Sequence, residues 1–216
     1  MGSYIDWSKT TKSSNYRGSG SFSTFMIIGP TCFFLGILFA SFPYDFPLLW
    51  SKEPVPASYY DQIETHLKFI HQSPPLIGRM LNIIVSVGFL GLFIKLFRPS
   101  EANFLFDGAS LILYTIGVAV YITNIVKGLR TMSSGYFDSD EFKNAKARFE
   151  GEVILGREDS LRVLSASNTI LALVLIGVLV LQAGQWYAEK RDSDDEAALA
   201  AKKDAPASKA ATKKKQ

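Results

Sequence analysis

The sequence predicts an all-α membrane protein, a four-helix transmembrane bundle followed by a disordered C-terminal tail. Within its 216 residues, four continuous apolar stretches are each about twenty residues long. They are residues 22–42, 76–97, 104–126 and 164–187. A helix that rises 1.5 Å per residue needs about twenty apolar residues to cross a hydrocarbon core roughly 30 Å thick. The apolar runs do not alternate with a period of two, which argues against a β-barrel.

Charge and cysteine content limit which partners and which covalent cross-links we expect. The formal net charge is +3, and lysines gather in the C-terminal tail beside the last predicted span. A basic tail next to a membrane suits anionic lipid or a cytosolic partner, so we expect no nucleic acid among the partners. The single cysteine, Cys32, lies inside the first span and cannot form part of a disulfide framework.

The first half of the chain divides into an arm, a span and a proline-rich loop. Residues 1–21 are rich in Ser, Gly and Lys and predict a flexible arm. The first span lacks a small-x-small cleavage pattern after it, so we expect it to remain as a signal anchor. In the loop at 43–75, six prolines predict turns and extended pieces around one short helix over 58–71. One face of that helix suits the membrane surface; it carries Tyr59, Ile63, His66 and Ile70.

The second half has one short loop, one long loop and the tail. The loop at 98–103 is so short that the second and third spans must be antiparallel neighbours. The loop at 127–163 predicts an amphipathic helix, with apolar residues at helical spacing at Phe142, Ala145, Phe149 and Val153. Residues 188–216 are a low-complexity tail, which predicts disorder or at most a nascent alanine-rich helix.

Positive charges predict the orientation, although their counts on the two sides conflict. Lys95 and Arg98 lie in and beside the very short second loop, next to two span ends, where they are hard to translocate. We therefore expect both termini in the cytosol and the loops 43–75 and 127–163 in the lumen.

Three ionisable residues lie within the spans, all near span ends. Arg79 and Lys95 flank the second span, and the spacing predicts that both side chains snorkel to opposite interfaces. Asp107 lies one turn inside the third span, where it either stays solvated or pairs with Lys95 or Arg98 across the tight turn. The alternative for Asp107 is a role in ion translocation.

Uncharged polar residues mark faces of the spans. Small and hydroxyl side chains let helices approach closely and form hydrogen bonds that lipid does not offer. They serve either contacts within the bundle or the docking of a partner's transmembrane helix. The faces are Asn82 with Ser86, Thr115 with Ala119 and Thr123, and Ser165 with Asn168 and Thr169; Gly88 and Gly91 thin the second span on one side.

The sequence offers little for catalysis. It shows no nucleophile with a plausible base and no glycine loop for phosphate. His66 and His71 are five residues apart, which places them on different sides of a helix. We therefore expect a protein that is not an enzyme, with no catalytic residues, no metal site and no cofactor.

Four stretches carry a resemblance to a known family. They are GILFASFPYDFPLLW at 36–50, KLFRP at 95–99, YITNIVK at 121–127 and LQAGQWY at 181–187. Together with the four-span layout, they resemble the fungal endoplasmic-reticulum (ER) packaging chaperones for amino acid permeases, the super-high-histidine-resistance family. The resemblance extends over roughly residues 25–190.

The resemblance implies a substrate-specific chaperone of the ER membrane. Such a protein assists folding of amino acid permeases, prevents their aggregation and promotes their packaging into COPII vesicles. The implied partners are polytopic amino acid permeases, COPII coat components bound through the tail, and the lipid bilayer. The candidate client contacts are Pro43, Tyr44, Asp45, Asn82, Ser86, Thr115, Thr123, Asn124 and Asn168.

Two of the motifs have simpler alternatives. Pro43-Tyr44-Asp45 also suits an ordinary turn with Tyr44 in an interfacial aromatic belt. Lys213 and Lys214, fourth and third from the end, look like a dilysine ER-retrieval signal, but a solvated basic tail on anionic lipid has the same composition.

The rival function is that of a small four-span transporter or channel subunit. The sequence lacks the charged or broken midplane site that this function calls for.

Overall fold

The structure is a computed structural model that describes residues 19–97, 101–138 and 156–212, and within these ranges it is helical nearly throughout, without strands. The helices in chain order are α1 (Ser19–Trp50), α2 (Ala57–His71), α3 (Pro75–Leu96), α4 (Glu101–Val120), a π-helix (Tyr121–Val126), α5 (Lys127–Ser133), a 3₁₀ turn (Tyr136–Asp138) and α6 (Arg157–Thr212). The amphipathic helix expected in the third loop, and Lys213 with Lys214, lie outside the described residues.

Among the described residues, four helical segments are long and apolar enough to cross a membrane. They are Phe22–Trp50, Pro75–Leu96, Phe104–Ser133 and Arg157–Lys202. The predicted fold class, a four-helix transmembrane bundle, is confirmed.

The four long helices form a ring in the order of the chain. Each packs on the next, and α1 also packs on α6 and closes the ring. The neighbours are antiparallel, because Gly91 near the end of α3 lies against Ser23 near the start of α1. The α3–α4 contact confirms that the second and third spans are neighbours. We call the end with the start of α1, the end of α3 and the start of α4 the terminal end, and the other end, with α2 and α5, the loop end.

The bundle core consists of apolar side chains from all four spans. It comprises Ile27, Phe34, Leu92, Tyr114, Leu171, Leu175 and Val178. The expected thinning of α3 at Gly88 and Gly91 is confirmed. A Cβ atom at Gly91 would lie 2.9 Å from the Ser23 carbonyl oxygen, and one at Gly88 would collide with the Tyr114 hydroxyl. These glycines therefore allow α1 and α4 to approach α3 closely.

A second apolar cluster closes the loop end, and we call it the loop-end cap, or the cap. It contains Leu48, Tyr60, Ile63, Met132 and Leu161, contributed by α1, α2, α5 and α6. The predicted helix over 58–71 is confirmed as α2, but its expected membrane-facing side is wrong. Ile63 packs into the cap with Tyr60, which the expected face did not include, and Ile70 is left exposed.

The turn expected at Pro43-Tyr44-Asp45 is wrong, because α1 continues through Pro43 and Pro47 to Trp50. Asp45, within this helix, is buried. At the other terminus, α6 does not stop near residue 187 but runs to Thr212. The sequence predicted that the tail is disordered or at most a nascent alanine-rich helix. The structure has the alanine-rich helix as far as Thr212.

Candidate functional site

Near the terminal end, a lysine and an aspartate are buried together inside the bundle. Lys95 Nζ of α3 lies 3.2 Å from Asp107 Oδ1 of α4. Lys95 also donates hydrogen bonds to Gln182 Oε1 at 2.7 Å and to Gln185 Oε1 at 2.8 Å. In return, the amide groups of Gln182 and Gln185 donate to Asp107 Oδ1 and Oδ2 at 3.0 and 2.9 Å. Gln182 further donates to Ser110 Oγ at 3.1 Å.

This buried network corrects one prediction and confirms another. The snorkelling expected for Lys95 is wrong, because the side chain turns into the bundle and is only 8% exposed. The pairing of Asp107 with Lys95, one of the alternatives expected for Asp107, is confirmed. Sequence reasoning missed Gln182 and Gln185 as partners. Their separation by three residues, which puts two amides on one side of an apolar helix, was the available signal.

The geometry makes the network a structural clamp. Two opposite charges neutralise each other, and the two glutamines turn both their donor and acceptor atoms toward them, as a low-dielectric interior requires. A cavity of about 20 Å³, lined by apolar and aromatic side chains, lies deeper between the spans. It offers about the space of one water molecule.

At the loop end, a second set of polar contacts ties α1 to α6 and α2. Asn168 Nδ2 of α6 donates to the buried carboxylate of Asp45 at 3.0 Å. The Tyr59 hydroxyl of α2 donates to the Tyr44 carbonyl at 3.0 Å. Partial burial, and next the charge of Asp45, raise the pKa of the Tyr59 hydroxyl above its ordinary value, which keeps this donor protonated. The Tyr44 ring stacks on His66 at 4.4 Å between centroids.

An ion-pair cluster continues these contacts at the first turn of α6. Arg157 Nη1 lies 2.8 Å from Asp61 Oδ1 and 3.1 Å from Glu64 Oε2. Arg162 Nη2 donates to the Tyr60 hydroxyl at 2.9 Å. Of the predicted contact residues, Asp45, Tyr44 and Asn168 are thus brought together by the cap, while Pro43 remains exposed beside them.

A third set of polar side chains lies on the outside of α3, α4 and the π-helix. We call it the polar seam; it consists of Asn82, Ser86, Thr115, Thr123 and Asn124, which are all exposed. The sequence left two uses open for these faces, contacts within the bundle or docking of a partner's helix. The first is wrong for these five residues, because all of them are exposed. The position of Gly88 opposite Tyr114 places Ser86 and Thr115 at about the same depth.

The hydroxyl groups of the polar seam are bonded back to their own helices. Ser86 Oγ donates to the Asn82 carbonyl at 2.9 Å, Thr115 Oγ1 to the Leu111 carbonyl at 2.8 Å, and Thr123 Oγ1 to the Ala119 carbonyl at 2.7 Å. Each hydroxyl proton therefore has an acceptor inside the helix, while the oxygen keeps a lone pair that faces outward.

The π-helix at Tyr121–Val126 widens the backbone at the loop-end part of the seam. Its wider turn interrupts the regular α-helical ladder and often accompanies functional positions. Thr123 and Asn124 lie in this segment, with Thr123 Oγ1 3.4 Å from Asn124 Oδ1. The sequence placed Thr123 on a polar face of the third span, and the family resemblance included the whole stretch. Neither predicted the π-helix, because a π-turn has no simple periodic signal.

Comparisons with known proteins agree with this architecture. A sequence model of the SHR3 chaperone family, described as ER membrane protein SH3, matches residues 18–216. The chain is also 23% identical over 161 residues to the secretory component protein psh3 of Schizosaccharomyces pombe, an alignment that covers 74% of this chain and 67% of that protein. No solved structure matches the chain. Because the family match covers almost the whole chain, this four-span protein belongs to the SHR3 chaperone family of ER membrane proteins.

Proposed function

We propose that this ER membrane chaperone serves polytopic amino acid permeases and that the polar seam is the surface that contacts them. One observation carries the proposal: five polar side chains lie exposed on the outside of the spans, where lipid tails offer no hydrogen-bond partner. Such an arrangement suits a partner that is itself a transmembrane segment.

The back-bonded hydroxyls explain how the seam tolerates lipid when no client is bound. Their protons are satisfied within the helix, so these three hydroxyl groups carry only a small desolvation cost in lipid. A permease span that has not found its native neighbours exposes polar groups at a cost of several kcal/mol in hydrocarbon. The seam offers hydroxyl oxygens and the Asn82 and Asn124 amides, each bond giving about 0.5–2 kcal/mol. Contacts of this strength are reversible, as release of a folded client requires.

The cytosolic tail gives the second half of the proposal. We place both termini in the cytosol, so that the terminal end faces the coat machinery and the loop-end cap lies in the lumen. Beyond Lys190, the side chains that the structure describes on α6 are exposed, which leaves them available for COPII coat components. Lys213 and Lys214, outside the described residues, remain our candidates for a retrieval signal.

The bundle interior gives less support to a small transporter or channel subunit. Substrate sites of transporters lie near the midplane, between helices that part around them. Here the charged pair is clamped near one end, and the cavity of about 20 Å³ is apolar. Flux of amino acids or ions through reconstituted vesicles, lost in Asp107→Asn, would favour this alternative.

Trafficking in cells that lack the protein tests the chaperone proposal. We expect twelve-span amino acid permeases to aggregate and stay in the ER, while an unrelated polytopic membrane protein reaches the surface. Re-expression of the wild-type chain restores permease exit. A general loss of surface proteins, or normal permease exit, contradicts the proposal.

A further inference from the structure

The loop-end part of α1 exposes a continuous edge of aromatic side chains. We call it the aromatic edge; it consists of Phe39, Phe42, Phe46 and Trp50, which are 80, 42, 49 and 47% exposed. Their spacing of three, four and four residues places them on one side of the helix. Phe42, Phe46 and Trp50 contact one another, with ring centroids 5.5–5.9 Å apart.

Two backbone carbonyls beside this edge lack their usual donors. Pro43 and Pro47 lie inside α1, and proline has no N–H group. The carbonyls of Phe39 and Pro43, four residues earlier, therefore do not receive the hydrogen bond of a regular α-helix. A helix carbonyl points along the axis toward the residue four positions later. The Phe39 oxygen thus points toward Pro43, which is itself exposed.

The chemistry of these carbonyls decides what fits the surface. Lipid tails contain no donor, and phosphate and ester oxygens are acceptors themselves. A transmembrane segment with Ser, Thr, Asn or Trp side chains supplies O–H or N–H donors together with apolar surface for the aromatic rings. Water and the ammonium or hydroxyl groups of some lipid headgroups are the other donors. Vesicles of phosphatidylcholine, whose headgroup has no donor, leave water as the one competitor of a transmembrane segment.

We propose that the aromatic edge and the carbonyls of Phe39 and Pro43 form a docking site for donor-bearing transmembrane segments of client proteins. The site rests on the proposed chaperone function and specifies its client chemistry: spans with hydroxyl or amide donors within about two turns of the lumenal boundary. Its residues differ from those of the polar seam, which lies on α3, α4 and the π-helix.

Photocrosslinking in vesicles tests the site directly. The full-length protein carries a photoreactive phenylalanine analogue at Phe39 and is reconstituted in phosphatidylcholine. The probes are two synthetic apolar transmembrane peptides, one with an Asn one turn from each end and one with Ala at the same places. We expect about threefold greater capture of the Asn peptide, as one hydrogen bond in a membrane provides.

The double variant Pro43→Ala/Pro47→Ala is decisive. It gives residues 43 and 47 N–H groups that bond the carbonyls of residues 39 and 43, so we expect it to remove the preference for the Asn peptide. Because proline is unfavourable in a helix interior, this variant also stabilises α1, and misfolding cannot explain the loss. Pro54→Ala, in the exposed segment between α1 and α2, should leave the preference unchanged.

The other outcomes are equally clear. Equal capture of the two peptides, or a preference that survives in Pro43→Ala/Pro47→Ala, overturns the docking site. A second photoreactive group at Ser86 separates this result from failure of the proposed function. Capture at Ser86 without a preference at Phe39 overturns the α1 site alone, whereas no capture at either position overturns both.

Discussion

Lys95 and Asp107 form an ion pair of 3.2 Å inside the bundle, with Asp107 fully buried and Lys95 nearly so. The two residues come from consecutive spans, and Gln182 and Gln185 of the last span complete their hydrogen bonds. The last span is thereby fixed against the α3–α4 hairpin, at the point where it leaves the membrane toward the tail.

Loss of one partner of this pair should destabilise the bundle strongly. Lys95→Met leaves Asp107 as an uncompensated buried charge, at a cost of about 3–5 kcal/mol. The double variant Lys95→Met/Asp107→Leu removes both charges and should be much less destabilised. Thermal unfolding in detergent checks this, with Lys127→Met at an exposed position as the control. A double variant as unstable as the single one would contradict the pairing.

The contact between Asp45 and Asn168 should depend on hydrogen bonding rather than on charge. Asp45→Ala leaves the Asn168 amide without its partner and should cost about 1–3 kcal/mol. Asp45→Asn keeps an acceptor oxygen in place and should remain close to wild type. Unfolding midpoints of the two variants, beside the exposed Glu53→Ala, provide the comparison. Equal losses in Asp45→Ala and Asp45→Asn would show that the negative charge itself is required.

Close packing of α3 on α4 should make Gly88 intolerant of any side chain. In Gly88→Ala the new Cβ would lie 2.6 Å from Tyr114 Cζ, and we expect a loss of about 1–3 kcal/mol. Gly78→Ala on the same helix meets nothing within 4 Å and should be neutral or slightly stabilising.

Pairing with Tyr114→Leu tests whether this contact is the cause. The double variant Gly88→Ala/Tyr114→Leu should lose less stability than the sum of the two single variants, because the side chain that obstructs the new Cβ is gone. Strict additivity would place the strain elsewhere.

The tail should be separable from the bundle. A chain that ends at Lys190 keeps Gln182 and Gln185 and loses only a segment whose described side chains are exposed. We expect unchanged thermal unfolding and unchanged protection of permeases from aggregation, but reduced permease entry into COPII vesicles in a budding assay. A truncated chain that unfolds earlier, or that still supports full budding, would contradict this division of roles.

The sequence predicted four membrane spans because each needs about twenty apolar residues to match the thickness of the membrane. It did not predict which polar faces point inward. A helix in a membrane bundle is apolar on both its lipid side and its packed side, so Asn82 and Ser86 on the outside and Gln182 and Gln185 on the inside carry the same periodic signal. Lys95 was misplaced for the same reason, since its glutamine partners lie 87 and 90 residues away in the chain.

Local rules also failed at the prolines of α1. Pro43 and Pro47 predict a turn by residue type, but tertiary contacts hold the helix together through them. The inward contact of Asp45 with Asn168 and the outward stacking of Phe42, Phe46 and Trp50 both require helical geometry. The partners of Asp45 lie on a helix more than a hundred residues away, beyond the reach of any local pattern.

The most direct test of the account is photocrosslinking from the outer surface of the bundle during permease synthesis in ER membranes. A photoreactive residue at Ser86 or Thr115 should capture the nascent permease. The same residue at Val180, which is 62% exposed on the outward face of α6, should capture lipid alone. Equal permease capture at Val180 and at the polar seam, or none at the seam, would contradict the claim that the seam is the client-binding surface.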